Sequence, residues 1–172
     1  LAPIGDDGQI AQSAVGTSIV LGDTALATGD NTLSINEGNV GTADADYDYA
    51  GGLVDFTVSG AQAGSSYNVV LPLGDAIPAD AVLRKFMGDT IGWQQFVEDA
   101  NNAISSATAA SGTCPEAGSN RYEIGLVAGA TCVQLYLEDG GPNDMDGAAD
   151  GTVTDPSGIA SLYFGPPSTE ST

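Results

Sequence analysis

Short apolar segments, separated by turns rich in glycine and aspartate, recur between residues 53 and 164 of this sequence. The clearest is Leu53–Ser59 (LVDFTVS), where apolar and polar side chains alternate, and residues 67–73 (YNVVLPL) follow after the turn GAQAGSS. Alternation with a period of two predicts a half-buried strand, and two such segments predict a hairpin whose loop is long enough for the strands to lie in one sheet or in two. Similar segments occupy residues 81–86, 93–97, 103–109, 122–127, 132–137, 152–154 and 159–164. The pattern predicts an all-β chain folded as an antiparallel β-sandwich of the Ig-like or jelly-roll-like kind.

Two regions, residues 93–107 and 122–137, are each expected to form a strand, a turn and a second strand. Residues 122–127 and 132–137 flank the short turn AGA, which predicts a second hairpin. Residues 93–107 also fit a helix, since Trp93, Phe96 and Val97 have helical spacing, but the turn formers in EDANN favour strand, turn and strand. Trp93 is interpreted as a core aromatic residue, with a carbohydrate-stacking platform as the alternative.

The first 50 residues lack strong alternation. Apolar segments at 19–21 and 32–35 have strand propensity, while repeated glycine and β-branched residues disfavour a long helix. We therefore predict an extended N-terminal arm over residues 1–50 with short strands, and residues 9–21 (QIAQSAVGTSIVL) as a possible donor strand. The sandwich domain is expected over residues 51–165, followed by a linker or tail over 166–172.

The charge balance excludes several partners. Three basic residues accompany 23 acidic ones, and the formal net charge is −20. Such a surface repels nucleic acid and anionic membranes. It attracts divalent cations and stays soluble at high salt, which fits an extracellular setting, although acidity can also serve solubility alone. No apolar run is long enough to span a membrane.

The chain has no histidine, which excludes Ser-His-Asp and Cys-His catalysis and disfavours a transition-metal site. Lys85 is the one lysine, so Schiff-base chemistry would depend on it alone. Glycosidases need only two carboxylates and remain possible. Nothing in the sequence pairs any two of the candidate carboxylates, so we predict that the chain is not an enzyme. The candidates are Asp55, Glu98, Asp99 and Glu123.

Cys114 and Cys132 are the two cysteines of the chain, and we interpret them as one disulfide formed in an oxidising compartment. Two buried free thiols are the alternative. The sequence starts at Leu1 with no charged or apolar leader, as expected of a chain whose signal peptide has been removed. These features predict an exported, extracellular protein.

The stretch 132–160 contains an acidic loop between two predicted strands. Carboxylates at alternate positions followed by glycine, as in the D-x-D-G-x-x-D pattern of this loop, can fold oxygens around a hard cation such as calcium. An Asx-turn loop, whose carboxylates cap backbone amides, is the alternative. The candidate calcium ligands are Asp139, Asn143, Asp144, Asp146, Asp150 and Asp155.

A second acidic stretch, TADADYDYAGG, carries Asp44, Asp46 and Asp48 at alternate positions. Tyr49 stands where an EF-hand loop requires glycine, so this signal for calcium is weak. We predict a solvated strand face or turn here.

The second half of the chain is similar to a known family. The runs GWQQFVEDANNAISSA and CPEAGSNRYEIGLVAGATCVQLYLEDGGPNDMDGAADGTVTDPSGIA resemble the choice-of-anchor U domain of bacterial surface proteins, over residues 52–160. The resemblance implies an exported β-rich module that precedes a C-terminal sorting signal, and it implies no activity. The acidic loop also resembles one thrombospondin type 3 calcium repeat, which implies bound calcium.

The function expected from the sequence is that of a non-catalytic extracellular structural protein. It is either a calcium-stabilised surface module or a filament subunit, joined to copies of itself by head-to-tail strand exchange. The alternative is a calcium-dependent carbohydrate-binding or adhesive module, in which Trp93, Tyr47, Tyr49 and Tyr67 would stack on sugar rings.

Overall fold

The computed structural model describes residues 1–49, 51–60 and 62–165. The expected tail 166–172 lies outside these ranges. The elements in chain order are β1 (Ala2–Pro3), β2 (Ile10–Ser13), β3 (Ser18–Leu21), α1 (Asp23–Thr28), β4 (Ser34–Ile35), α2 (Glu37–Val40), β5 (Tyr47–Tyr49), β6 (Leu53–Ser59), β7 (Ser66–Pro72), β8 (Val82–Phe86), β9 (Trp93–Gln95), β10 (Ala103–Ala107), β11 (Glu123–Ile124), β12 (Cys132–Glu138) and β13 (Thr152–Leu162).

The strands of the described ranges form two antiparallel sheets. One sheet has the order β1-β2-β7-β12-β10-β11. The other has the order β3-β6-β13-β8-β9, with β4 also paired to β6 and β5 to β13. The alternating segments β6 and β7 lie in different sheets, so the loop between them crosses the sandwich. The prediction of an all-β antiparallel sandwich is confirmed.

The main core lies between the two sheets and takes one face of each central strand. Val69 and Leu135 come from the first sheet, and Phe56 and Val153 come from the second, all fully buried. This is the face that the period-two alternation of β6 and β12 predicts. A smaller core covers the outer face of the second sheet, where α1 and β4 bury Ala25, Ile35 and Leu53.

Strand β13 is one continuous strand of 11 residues, whereas the sequence predicted two separate segments at 152–154 and 159–164. Its first half pairs with β6 and its second half with β8. Pro156 is tolerated because the acidic loop takes the place of β8 beside the first half: Met145 N–H donates to the Thr154 carbonyl at 3.2 Å. Pro156 lies two residues after Thr154, so the N–H that proline lacks would point toward this same edge of the strand.

The N-terminal segment is paired within its own chain. Gln12 of β2 lies opposite Val70 of β7, and Ile19 of β3 lies opposite Val58 of β6. The expected arm therefore supplies edge strands to both sheets, because β6 and β7 would otherwise expose unpaired backbone groups. The candidate donor strand 9–21 spans both of these pairings.

The second predicted hairpin is wrong. Of residues 122–127, Glu123–Ile124 alone form a strand, and β10 lies between this strand and β12. The side chain of Ile124 is 93% exposed, whereas Leu126 packs against the main core, so the apolar residues of this segment do not all face one buried side. The alternating pattern over 122–127 therefore does not extend into a full strand.

The region 93–107 forms strand, turn and strand, as predicted. Trp93 is half-buried, with its ring centroid 5.4 Å from that of Phe86 and 5.5 Å from that of Tyr49. Its indole N–H donates to the Thr42 carbonyl at 2.8 Å. Trp93 therefore belongs to the smaller core. No helix in the described residues has the length and apolar character needed to cross a membrane.

Cys114 and Cys132 form a disulfide, with a Cα–Cα distance of 5.8 Å. The bond ties the loop that follows β10 to the first residue of β12. Val70 and Ala107 are buried against it, and Tyr122 packs beside them. The disulfide therefore fixes a loop that has little regular structure of its own.

Replacing both cysteines by serine is expected to lower the free energy of unfolding by about 3 kcal/mol, because the unfolded chain loses the loop constraint. Urea unfolding of the oxidised wild type and the double variant measures the difference. Treating the wild type with a reductant should give the same loss. Equal stabilities in all three samples would contradict this prediction.

Candidate functional site

The acidic loop runs from Asp139 to Gly151 and closes one end of the sandwich between β12 and β13. Three of its candidate ligands, Asp139, Asn143 and Asp144, are at most 2% exposed, whereas Asp146 and Asp150 face solvent. Carboxylate and amide side chains are buried in proteins only where hydrogen bonds satisfy their polar atoms. The N–H groups that donate to these oxygens therefore indicate the structural role of the loop.

Asp139 accepts three backbone N–H groups. Gly64 and Gly151 both donate at 2.7 Å to one carboxylate oxygen, and Asp150 donates at 3.1 Å to the other. Gly64 belongs to the loop between β6 and β7, far away in the sequence. The carboxylate therefore fastens the end of the acidic loop to the crossover between the two sheets.

Asn143 and Asp144 fasten the middle of the loop. The side-chain amide of Asn143 accepts from Val97 N–H at 2.9 Å and donates to Val97 C=O at 2.8 Å, which reproduces a pair of strand hydrogen bonds. Asp144 accepts from Gly140 N–H at 2.9 Å and from Thr154 N–H at 3.2 Å. Burial raises the pKa of Asp144 above its ordinary value, and the two N–H donors oppose this shift.

Asp146 and Asp150 form local turns on the exposed side of the loop. Asp146 accepts from Ala148 N–H at 2.8 Å. Asp150 accepts from both the N–H and the hydroxyl of Thr152, at 2.9 and 2.7 Å. These bonds from Thr152 lower the pKa of Asp150. Both carboxylates thus take the geometry of the Asx-turn alternative.

Calcium requires six to eight oxygen ligands around one point. The described residues contain no group of three or more acidic or cysteine side chains arranged to hold a metal ion. The buried oxygens of Asp139 and Asp144 are directed at backbone amides instead. In this geometry the loop does not fit the coordination of calcium, and the amide-capping alternative describes its hydrogen bonds. Calcium binding stays a prediction.

Asp155, the sixth candidate ligand, lies outside the loop and has a partner of its own. It is on β13, fully buried in the sandwich, where its carboxylate forms an ion pair with Lys85 of β8. The sequence reasoning did not find this partner. The available signal was the alternation in β8, which places Lys85 on the same face as the core residue Leu83.

A second buried ion pair lies on the outer face of the second sheet. The guanidinium of Arg84 donates to both oxygens of Asp44, at 2.8 and 3.0 Å, and stacks 4.3 Å from the ring of Tyr47. Tyr49 donates its hydroxyl to the same carboxylate at 2.7 Å. Asp44 is therefore buried and paired, where the sequence predicted a solvated strand face or turn.

Asp55 is a buried carboxylate under α1. One of its oxygens accepts from Ala25 N–H at 2.9 Å, while the other has no hydrogen-bond partner among the described residues. A Cβ atom added to Gly22 would overlap the carboxylate, so glycine is required for this close approach. Burial raises the pKa of Asp55, and the charge of Asp155 adds to the shift.

Replacing Asp55 by asparagine is expected to change the pH dependence of stability. A folded-state pKa above the unfolded value of about 3.9 means that the folded protein binds the proton more tightly. The Asp55 contribution is therefore most favourable below that value and is lost as pH rises through the folded pKa. Urea unfolding from about pH 3 to pH 7 should show a smaller fall for Asp55→Asn than for the wild type. Parallel pH profiles would contradict this.

Two of the three other carboxylates considered for catalysis, Asp99 and Glu98, have hydrogen-bond partners. Asp99 accepts from Asn101 N–H at 2.8 Å and from the Asn102 side chain at 2.9 Å. Glu98 accepts from Ile104 N–H at 3.4 Å, and Glu123 lies on the edge strand β11. Asn102, which the sequence analysis treated as a turn residue, is fully buried and bonds both Asp99 and Glu138. These groups hold the turn after β9 against β12.

The aromatic side chains considered for sugar binding have contacts inside the protein. Tyr67 is buried, and its hydroxyl donates to the Gln62 carbonyl at 2.5 Å. Tyr47 is covered by Arg84, and Tyr49 and Trp93 contact each other. Tyr47, Tyr49 and Trp93 lie near one another on the outer face of the second sheet, engaged by Arg84, Asp44 and the smaller core, whereas Tyr67 is buried in the main core.

No family model, no curated protein and no solved structure matches this chain. The function is therefore inferred from the geometry of its own residues.

Proposed function

We propose that this chain is a non-catalytic structural module of an exported protein, secreted or displayed on a bacterial surface. One observation carries the proposal: the carboxylates concentrated in the acidic loop accept backbone N–H groups. Asp139 and Asp144 bind five of them in total, from four separate stretches around the loop. Carboxylates engaged in this way fix the chain and are not free to act as a general acid or base.

The disulfide and the surface charge support an extracellular location. Disulfides persist in oxidising compartments, and the Cys114–Cys132 bond stabilises a loop of little regular structure. The formal net charge of −20 keeps copies of the protein soluble and apart at low salt. A module of this kind would hold its shape without a cofactor.

The structural proposal and the carbohydrate-binding alternative make different predictions. The oxidised chain is applied to a glycan array and incubated with polysaccharides, each with calcium and with a chelator. The structural proposal predicts no retained glycan and no hydrolysis product. Retention that is lost on chelation would overturn the proposal in favour of a calcium-dependent adhesive module.

A calcium titration separates the amide-capping role of the loop from the cation site expected from the sequence. If backbone N–H groups already satisfy the carboxylate oxygens, calcium should leave the midpoint of thermal unfolding unchanged. A ligand that binds the folded state raises this midpoint by mass action. A calcium-dependent rise in the wild type that disappears in Asp146→Asn would favour the cation site and contradict the capping role.

Strand exchange between copies is a second candidate, supported by the position of the N-terminal segment. Residues 1–21 supply β1 and β2 to the edge of one sheet and β3 to the edge of the other. A neighbouring copy could supply the same strands in the same register, which would make an open head-to-tail filament. The buried side chains that would move with the segment are small in number and include Ala11 and Ile19.

A chain lacking residues 1–21 tests this candidate. Under strand exchange, the truncated chain refolds when a synthetic peptide of residues 9–21 is added, and the full chain forms fibres visible by electron microscopy. A truncated chain that ignores the peptide, together with a full chain that stays monomeric at all concentrations, would exclude the filament. The surface-module proposal survives that result.

A further inference from the structure

Lys85 and Asp155 form a buried ion pair inside the sandwich, and the charges of Asp144 and Asp55 also act on Lys85. Lys85 is the one lysine of the chain, and both side chains are 0% exposed. Lys85 lies opposite Ser157 in the register of β8 and β13, and Asp155 is two residues before Ser157 on the same face. The ammonium nitrogen Nζ is in direct contact with the carboxylate oxygen Oδ1.

The pair lacks the hydrogen bonds that support other buried charges in this protein. Nζ of Lys85, both carboxylate oxygens of Asp155 and the hydroxyl of Ser157 have no hydrogen-bond partner among the described residues. Asp139, by contrast, accepts three backbone N–H groups. A buried ion pair without additional hydrogen bonds does not recover the loss of hydration of its two charges.

Burial instead favours the neutral form of the pair. Moving one proton from Nζ to Oδ1 gives an amine and a carboxylic acid, with no proton taken from solvent. Burial lowers the pKa of Lys85, which also favours the neutral amine, whereas the charge of Asp155 opposes this shift. A neutral amine in contact with a carboxylic acid, both held in place by strands of one sheet, is a nucleophile beside its electrophile.

We propose that Lys85 and Asp155 are the site of an internal amide cross-link, which the folded chain forms between β8 and β13. The lone pair of Nζ attacks Cγ of the protonated Asp155 carboxyl, and a C–N bond forms. One amine proton passes to the hydroxyl oxygen, the C–O bond breaks and water leaves. The step needs no oxidant, reductant or cofactor, and the net charge of the chain is unchanged.

The product relieves the features that make the pair unfavourable. An amide carries no charge, with one N–H donor and one carbonyl acceptor in place of an ammonium and a carboxylate. The unpartnered hydroxyl of Ser157, directly opposite Lys85, is the polar group beside this amide. The link would tie β8 to β13 in the second sheet, while the Cys114–Cys132 disulfide ties a loop to the first sheet.

The chain offers a direct test, because trypsin can cut it only after Arg84, Lys85 and Arg121. Cutting after the two arginines yields peptides 85–121 and 122–172, which contain the two residues of the proposed link. These peptides also carry Cys114 and Cys132, so the denatured chain must first be reduced and alkylated. An acylated Lys85 is not cut, and the two peptides should remain joined, with the mass of one water missing.

Fragmentation of the joined species should place the link between Lys85 and Asp155. The intact mass alone does not decide the question, because an Asp-Gly pair such as Asp139–Gly140 can also lose one water by closing to a succinimide. That loss would leave the two peptides separate. Separate peptides, cleavage after Lys85, or a link at another acidic residue would each overturn the proposal.

Two further samples guard against a variant that merely fails to fold. Lys85→Arg keeps the positive charge but should give separate peptides. Wild-type chain synthesised and kept in denaturant should also give separate peptides, and the link should appear after refolding. A link already present in the never-folded chain would show that the fold does not form it, and would overturn the proposal.

Discussion

Replacing Lys85 by methionine is expected to lower the free energy of unfolding by about 3–5 kcal/mol. Methionine keeps most of the unbranched side chain but lacks Nζ, so Asp155, which is 0% exposed, loses its partner. Asp155 has no hydrogen bond from another group among the described residues, so nothing else compensates. Urea unfolding followed by circular dichroism at neutral pH measures the loss.

The double variant Lys85→Met/Asp155→Leu identifies the cause. Removing both charges leaves an apolar pair in an apolar space, so the double variant should be more stable than either single variant. Arg121→Met removes an exposed positive charge and should change stability by no more than about 0.5 kcal/mol. A double variant as unstable as the singles would mean that packing, and not an unpaired charge, causes the loss.

The central strands could be predicted from local pattern because their alternation records which face is buried. Leu53–Ser59 was predicted with the bounds that β6 has in the structure, and its buried Phe56 and Val58 face the main core. Strand β12 follows the same rule. The composition of the turns then separated these strands correctly, so the all-β antiparallel architecture followed from the sequence.

The edges of the fold depend on contacts that local pattern does not record. Strand β2 has little alternation and is held by its pairing with β7, more than 50 residues away in the sequence. The sequence predicted two separate strands on either side of Pro156, yet β13 continues through this residue because the acidic loop occupies the neighbouring edge. Such outcomes follow from tertiary structure, which overrides the local preference.

The acidic loop shows the same limit for a candidate site. The spacing D-x-D-G-x-x-D places carboxylate oxygens on the inside of a tight loop, and both a cation and backbone N–H groups can satisfy them. The choice depends on donors elsewhere, such as Gly64, which reaches Asp139 from the loop between β6 and β7. Lys85 and Asp155 likewise come together through the pairing of β8 with β13, and no local sequence pattern indicates that these two residues are partners.

Replacing Asp139 by alanine is expected to lower the free energy of unfolding by roughly 3–5 kcal/mol, since each unsatisfied donor costs about 1–3 kcal/mol. Two backbone N–H groups, those of Gly64 and Gly151, lose their acceptor together, and that of Gly151 is buried, whereas Asp150 N–H keeps its bond to the Ala148 carbonyl. Asp139→Asn should fall between alanine and wild type, because an amide offers one acceptor oxygen and turns a donor toward the remaining N–H. Urea unfolding of the oxidised proteins gives the three values.

The matched control is Asp146→Ala, in the same loop and at an exposed position. Asp146 accepts one N–H, from Ala148, which solvent can satisfy after the substitution. The expected loss is about 1 kcal/mol or less. If the loop were held by a cation shared among its carboxylates, both substitutions would remove a ligand, and their effects would be similar and would vanish in chelator. A large loss for Asp139 and a small one for Asp146, both unchanged by chelation, follows only if the buried carboxylate fastens the loop through the backbone amides.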